Sequence, residues 1–161
     1  MDSYKLDNVD RGILHALQED ARNNSASDIA EKVDVAPNTV RNRIKNLENA
    51  DVIDGYIPHI NYEQAEFQLR VEFVCTVPVS DRRSLAEKSL DTEGVVQVTE
   101  ILSGRDNLSI EVVGSDSDEL TTIASQLEDL GCKINDERFI KNTRVQPFDH
   151  FGFEVVDGTR D

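Results

Sequence analysis

"NTVRNRIKNL", residues 38–47, holds Arg41, Arg43 and Lys45 and no acidic side chain. Asn38, Thr39 and Asn42 stand among these bases. Such residue types read DNA: asparagine pairs bidentately with adenine, and arginine or lysine reaches guanine or a phosphate. The strip is unexpected in a chain with 32 Asp and Glu against 17 Lys and Arg. An ordinary solvated helix face would also carry Arg, Lys and Asn. The local absence of acid in so acidic a chain favours nucleic acid. At about 100° per residue, Val40, Ile44 and Leu47 share a buried side. Asn38, Asn42 and Lys45 face away from it, flanked by Thr39 and Arg41. Arg43 lies at the apolar border, where an ion pair or a phosphate contact suits it better than base reading.

A second cluster is the stretch "SGRDNLS", with Gly104, Arg105, Asp106 and Asn107. Gly104 permits a tight turn with exposed backbone. Asp106 and Asn107 could hold the ammonium and carboxylate groups of an amino acid. The same residues are also those of a plain hairpin turn. Other chemistry is poorly provided for. His15, His59 and His150 are far apart in sequence and none is framed by a site motif. Cys75 and Cys132 form no C-x-x-C pair, so two buried thiols are expected rather than a zinc site. No phosphate-binding glycine loop is present. The expectation is no catalytic residue, no metal and no cofactor.

The elements that position these clusters follow from periodicity. Val9, Ile13, Leu14 and Leu17 share one face of a first helix, with Asp7 as its cap and Asp10 in the first turn. Ser25 or Ser27 caps a second helix edged by Ile29, Ala30 and Val33. Pro37 suits the first turn of a third helix. Asp54-Gly55, between Val52-Ile53 and Tyr56-Ile57, predicts a short β-wing. Three helices and a hairpin make a winged helix-turn-helix.

Beyond "YEQAEF", the alternation of Leu69, Val71, Phe73, Cys75 and Val77 predicts a half-buried strand. A helix with Leu85, Ala86 and Leu90, closed by Gly94, comes next. Two strands, "VVQVTEILSG" and "LSIEVVG", follow. A second helix, lined by Leu120, Ile123, Ala124, Leu127 and Leu130, and a strand within "KINDERFIKNTRV" complete βαββαβ, a ferredoxin-like α+β order. Its second strand, read as extending to Ile101 and Leu102, is apolar on both sides. The open face of the sheet is therefore expected to be covered by a second subunit. The expected domains are a winged helix-turn-helix at 1–61, a linker at 62–68, a ferredoxin-like domain at 69–146 and an extension at 147–161.

Both halves together resemble the Lrp/AsnC, or feast/famine, family of transcription regulators. The residues that carry the likeness are "LDNVDRGILHALQEDAR", "DIAEKVDVAPNTVRNRIKNLENADVIDGY" and "SGRDNLSIEVV". It runs from about residue 6 to 145. The resemblance implies a DNA-binding homodimer, often assembled further into an octamer. It also implies a C-terminal domain that binds small effectors, usually amino acids, at contacts between subunits. Gly104, Asp106 and Asn107 match the family's effector loop. Two copies should read a pseudo-palindrome with half-sites about one or two helical turns apart.

Three departures stand out. Ala36 replaces a common capping Ser, Asp34 replaces a common turn Gly, and the extension carries Phe148, Phe151 and Phe153. Those phenylalanines are expected to pack on the sheet or on a partner subunit. Sirohaem decarboxylases look similar in outline, but the scattered histidines argue against an enzyme. A winged helix that binds only protein is the other rival.

No apolar run approaches the about 20 residues of a membrane span. The N-terminus "MDSYKLDNVD" lacks signal-peptide character, so a soluble cytoplasmic protein without membrane contact is expected. The net charge of −15 is spread along the chain. It suggests a cytoplasm of very high salt, where screening shortens repulsion to a few ångströms. The melting temperature should then rise from dilute to multimolar KCl; equal stability in both would overturn that expectation.

Overall fold

Asp7 starts the first helix, α1 (Asn8–Asp20), through a capping box: its side chain accepts from the Asp10 N–H while Asp10 accepts from the Asp7 N–H. The computed structural model describes residues 3–152. Ser25 and Asp28 make the same reciprocal cap on α2 (Ala26–Val33). The third helix, α3 (Pro37–Asn49), begins on Ala36 with no side-chain cap and has Pro37 in its first turn. Ile13, Ala16, Ile29, Ala30, Val40 and Leu47 are buried together as the core of this unit. Between α2 and α3 the backbone turns left-handed at Asp34, with φ 54° and ψ 52°.

The expected wing hairpin is not formed among the described residues. At the end of α3 the chain turns at Asp51 (φ 54°), and the N–H groups of Val52 and Ile53 both donate to the Leu47 carbonyl. Those donors are used to close the helix, so no ladder starts there. Tyr56 instead sends its hydroxyl to Glu48 at 2.9 Å.

The second half is a four-stranded antiparallel sheet with two helices. The strands are β1 (Leu69–Thr76), β2 (Val95–Glu100), β3 (Leu108–Gly114) and β4 (Lys133–Phe139), in the spatial order β2-β3-β1-β4. The helices are α4 (Arg82–Leu90) and α5 (Ser117–Leu130). This is the expected ferredoxin-like order. Val71, Phe73, Ile110 and Val112 pack against Leu85, Ile123 and Leu127. The opposite face carries ion pairs, Arg70 to Glu111 and Arg138 to Glu72.

Some details differ from expectation. Ile101 and Leu102 lie past the end of β2, and Leu102 is exposed. Leu90 is exposed, because α4 buries Ser89 instead, whose hydroxyl donates to the Leu85 carbonyl. Helix α4 is closed at Asp91, before Gly94. Both cysteines are buried free thiols. Burial pushes Cys75 up to about 12 and raises Cys132 as well.

The described residues form two compact units, one holding residues 3–58 together with 144–152, the other His59–Thr143. The turn at 61–67 therefore falls in the second unit. The C-terminal segment returns to the helical unit rather than to the sheet. A 3-10 turn at Asp149–Phe151 sits on α1, Phe151 joins the helical core, and the Phe148 N–H donates to Gln18 at 3.1 Å. Phe148 and Phe151 meet edge to face at 5.0 Å. Gly152 is packed so tightly that a Cβ there would lie 2.9 Å from the His15 ring. Phe153 lies outside the described residues.

Two kinds of substitution test this account of the helical unit. Ala36→Ser supplies the missing cap and Asp34→Gly relieves the left-handed turn; each should stabilise the unit by about 1 kcal/mol. Phe151→Ala should destabilise it by about 2 kcal/mol, given that the ring is only partly buried. Urea unfolding of the full chain measures all three.

Candidate nucleic-acid interface and effector loop

Helix α3 splits as its periodicity requires. Val40 and Leu47 are fully buried and Ile44 partly so. Asn38, Arg41, Asn42 and Lys45 are exposed, and Thr39 is intermediate. None of these exposed side chains has a hydrogen-bond or ion-pair partner among the described residues. They form an unpaired polar and basic surface along the first three turns. Acid next appears at Glu48, which accepts from Tyr56. Partial burial and that carboxylate push the Tyr56 hydroxyl up to about 12, so it stays a donor at neutral pH.

Arg43 points the other way. Its guanidinium lies 2.7 Å from Asp7 and 3.3 Å from Asp10. Asp10 is only 1% exposed. The Asp10 N–H, and after it Arg43, hold the Asp7 carboxyl below the ordinary aspartate value. Arg43 is thus engaged within the fold, tying α3 to the cap of α1.

The loop between β2 and β3 brings Gly104, Arg105, Asp106 and Asn107 together but gives them different work. Gly104 has φ +100° and open space around it. Asn107 is 4% exposed, and its amide brackets the Val77 backbone, accepting from N–H at 2.9 Å and donating to C=O at 2.8 Å. Its own backbone N–H donates to the Cys75 carbonyl at 3.0 Å. With its amide oxygen and nitrogen both engaged by the Val77 backbone and its side chain buried, Asn107 shapes the loop.

Asp106 is half-buried at the loop's rim. It accepts from Asn135 at 2.8 Å and from Arg105 at 3.3 Å. The Asn135 amide is the main cause of a carboxyl held below its usual range. Thr76 donates to the Arg105 carbonyl at 3.0 Å and accepts from Asn135 at 2.6 Å. Thr76 and Asn135 escaped the sequence reading. An asparagine inside the strand "KINDERF" was the available signal, since Asn is depleted in strands and favours irregular backbone. Among the described residues no group of His, Cys, Asp and Glu could hold a metal ion.

Residues 6–54 match a family model described as winged helix-turn-helix DNA-binding. An HTH-type transcriptional regulator of Pyrococcus furiosus is 45% identical over 65 residues, 40% of this chain and 43% of that relative. In that pairing the chain spans less than half of the relative's length. A second HTH-type transcriptional regulator, from Pyrococcus horikoshii, is 31% identical over 116 residues, 72% of each chain. Among solved structures, the leucine response regulatory protein LrpA of Mycobacterium tuberculosis superposes with a TM-score of 0.76 at 21% identity, covering 91% of this chain and all of that one. Escherichia coli AsnC superposes at 0.67 with 20% identity, over 90% and 98% of the two chains. This chain belongs to the Lrp/AsnC family of transcription regulators.

A further solved structure of similar fold is a transcriptional regulator of Neisseria meningitidis in complex with L-Met. It gives a TM-score of 0.72 at 22% identity over 91% of this chain and 99% of that one. The shared fold extends over both units of the present Lrp/AsnC chain.

The Arg43 pair has a measurable signature. Asp7 titrates below its ordinary 3.8 in the folded chain, so its contribution is present above that pH and is lost as pH falls through the lowered value. Stability should decline on acidification in that window, and the decline should be smaller in Arg43→Met. At neutral pH Arg43→Met should cost about 2 kcal/mol, below the value for a fully buried pair because the guanidinium is partly exposed.

Proposed function

We propose that this chain is a sequence-specific DNA-binding transcription regulator whose recognition helix is α3. The observation that carries it is the unpaired face of Asn38, Thr39, Arg41, Asn42 and Lys45 in a chain of net charge −15. With Arg43 engaged by Asp7 and Asp10, the direct contacts fall to the other five residues. Arg41 and Lys45 supply the positive charge, and Asn38 and Asn42 supply donor–acceptor pairs for base edges. The chain acts as a homodimer, or as an octamer built from dimers, on double-stranded DNA. Regulation rather than catalysis is its activity, in keeping with relatives named as transcription regulators.

The loop at Gly104–Asn107 serves as an effector site for a small molecule with a primary ammonium group. Asp106 supplies the negative partner and Arg105, 77% exposed at its side chain, a positive one for a carboxylate. The neighbour solved with L-Met supports an amino acid as the ligand class. Among the described residues no helix is long and apolar enough to cross a membrane. A soluble, cytoplasmic regulator in a high-salt cell accords with the family and with the acid spread along the chain.

DNA affinity measured by fluorescence anisotropy tests the interface. Arg41→Ala should weaken operator binding by about 1–3 kcal/mol, and Lys45→Ala should weaken all sequences alike and reduce the salt slope by about one. Unchanged affinity in both would leave a protein-interaction module as the better account. A thermal-shift series with the common amino acids tests the loop: a ligand should raise the melting temperature of the wild type and not of Asp106→Ala. Light scattering gives the assembly state.

A further inference from the structure

The chain enters the sheet unit through a tight turn at 61–67. Ala65 and Phe67 return their N–H groups to the Tyr62 carbonyl at 3.1 and 2.9 Å, and the Asn61 side chain accepts from the Gln64 N–H at 3.1 Å. On its way out of the same unit, just past Phe139, the Ile140 N–H donates to the Arg70 carbonyl at 2.8 Å. Between the turn and the departing segment lies a cleft of about 460 Å³. Every residue that lines it falls within His59–Thr143. Backbone hydrogen bonds hold both walls, so the cleft is formed before any ligand arrives.

The lining reverses the charge balance of the chain. Asp and Glu outnumber Lys and Arg by 32 to 17 overall, yet the cleft presents Arg70, Lys141 and His59 against Glu63 alone. His59 and Lys141 have no hydrogen-bond or ion-pair partner among the described residues. Arg70 meets Glu111 through Nε, which leaves the Nη donors of its guanidinium for other use. Tyr62 and Phe67 add aromatic surface. Unpaired cationic donors select an anion. Aromatic walls select a planar or apolar body, and the volume suits a small organic ligand rather than a bare ion. Arg70 lies at the start of β1 and Thr76 at its end, about 20 Å further along the strand. Thr76 is the residue that meets the β2–β3 loop, so the cleft and that loop are separate places.

We propose that this cleft binds a small organic anion, a carboxylate or phosphate head on a planar apolar body. Arg70 and Lys141 hold the head, and Tyr62 and Phe67 pack on the body. The site does not depend on the effector role of Asp106, where a carboxylate meets a ligand ammonium; here the protein supplies the bases and the ligand the acid. The exposed face of α3 is the competing place for an anion, because it also carries unpaired bases.

Naphthyl probes test the site on the full chain, at the lowest KCl concentration in which it stays folded. The chain has no Trp, so naphthyl fluorescence anisotropy is read with little background. Naphthyl phosphate and naphthylacetate carry one ring with two different acid heads; at least one should bind, and the ratio of their affinities tells phosphate from carboxylate. Naphthylmethylamine carries the same ring with the opposite charge and should not bind. Lys141→Ala should weaken the anion about tenfold, the loss of one charge-assisted hydrogen bond. Its melting temperature should stay that of the wild type, since Lys141 is exposed and without a partner. Phe67→Ala should weaken both anions alike. The proposal is overturned if neither anion binds, if the amine binds as tightly, or if Lys141→Ala leaves the affinity unchanged. Binding that is lost in Lys45→Ala or Asp106→Ala would place the ligand on α3 or at the β2–β3 loop and would overturn it as well.

Discussion

Much of the helical unit depends on one buried carboxylate and the guanidinium that meets it. Asp10 is nearly inaccessible, closes the capping box of α1 and accepts from Arg43 of α3. A buried carboxylate without a cation would be costly, so α3 must present an arginine at that place. This fixes the rotation of α3 about its axis. With Arg43 turned inward, Arg41 and Lys45 must turn outward. The face proposed to meet DNA is set by an ion pair within the fold.

The sheet unit poses a related problem of polar groups that look available. Asn107 and Asp106 are adjacent and both could bind an amino acid. Burial separates them: Asn107 spends its amide on the Val77 backbone, while Asp106 remains at the rim, held by Asn135 and Arg105. A satisfied buried amide is held by the full cost of leaving its donors and acceptors unpaired. An accessible carboxylate exchanges one partner for another at little cost. The same reasoning sets the two apart as scaffold and proposed site.

The C-terminal segment changes how the two units are connected. The chain passes from the helical unit into the sheet unit and back again, so two covalent links join them. Phe151 gives the returning segment a reason to stay on α1, because its ring packs against the helical core, while Phe148 stays half exposed and meets it edge to face.

Periodicity and local chemistry were enough for most elements. The stripe Val40, Ile44, Leu47, the caps at Asp7 and Ser25 and the alternation of Leu69 to Val77 each depend on residues within a few positions, and all appear in the structure. The basic strip and the βαββαβ order were legible for the same reason. Tertiary structure alone decided the rest. The wing motif Asp54-Gly55 yielded no hairpin because the Leu47 carbonyl took the N–H groups of Val52 and Ile53. Leu90 lost its expected burial to Ser89, whose hydroxyl found a backbone acceptor. Thr76 and Asn135, 59 positions apart, share a hydrogen bond that no local pattern announces. The docking of Phe151 on α1 likewise joins distant parts of the chain. Local spacing determines which faces a segment can bury; which partner satisfies a given polar group depends on contacts between segments far apart in sequence.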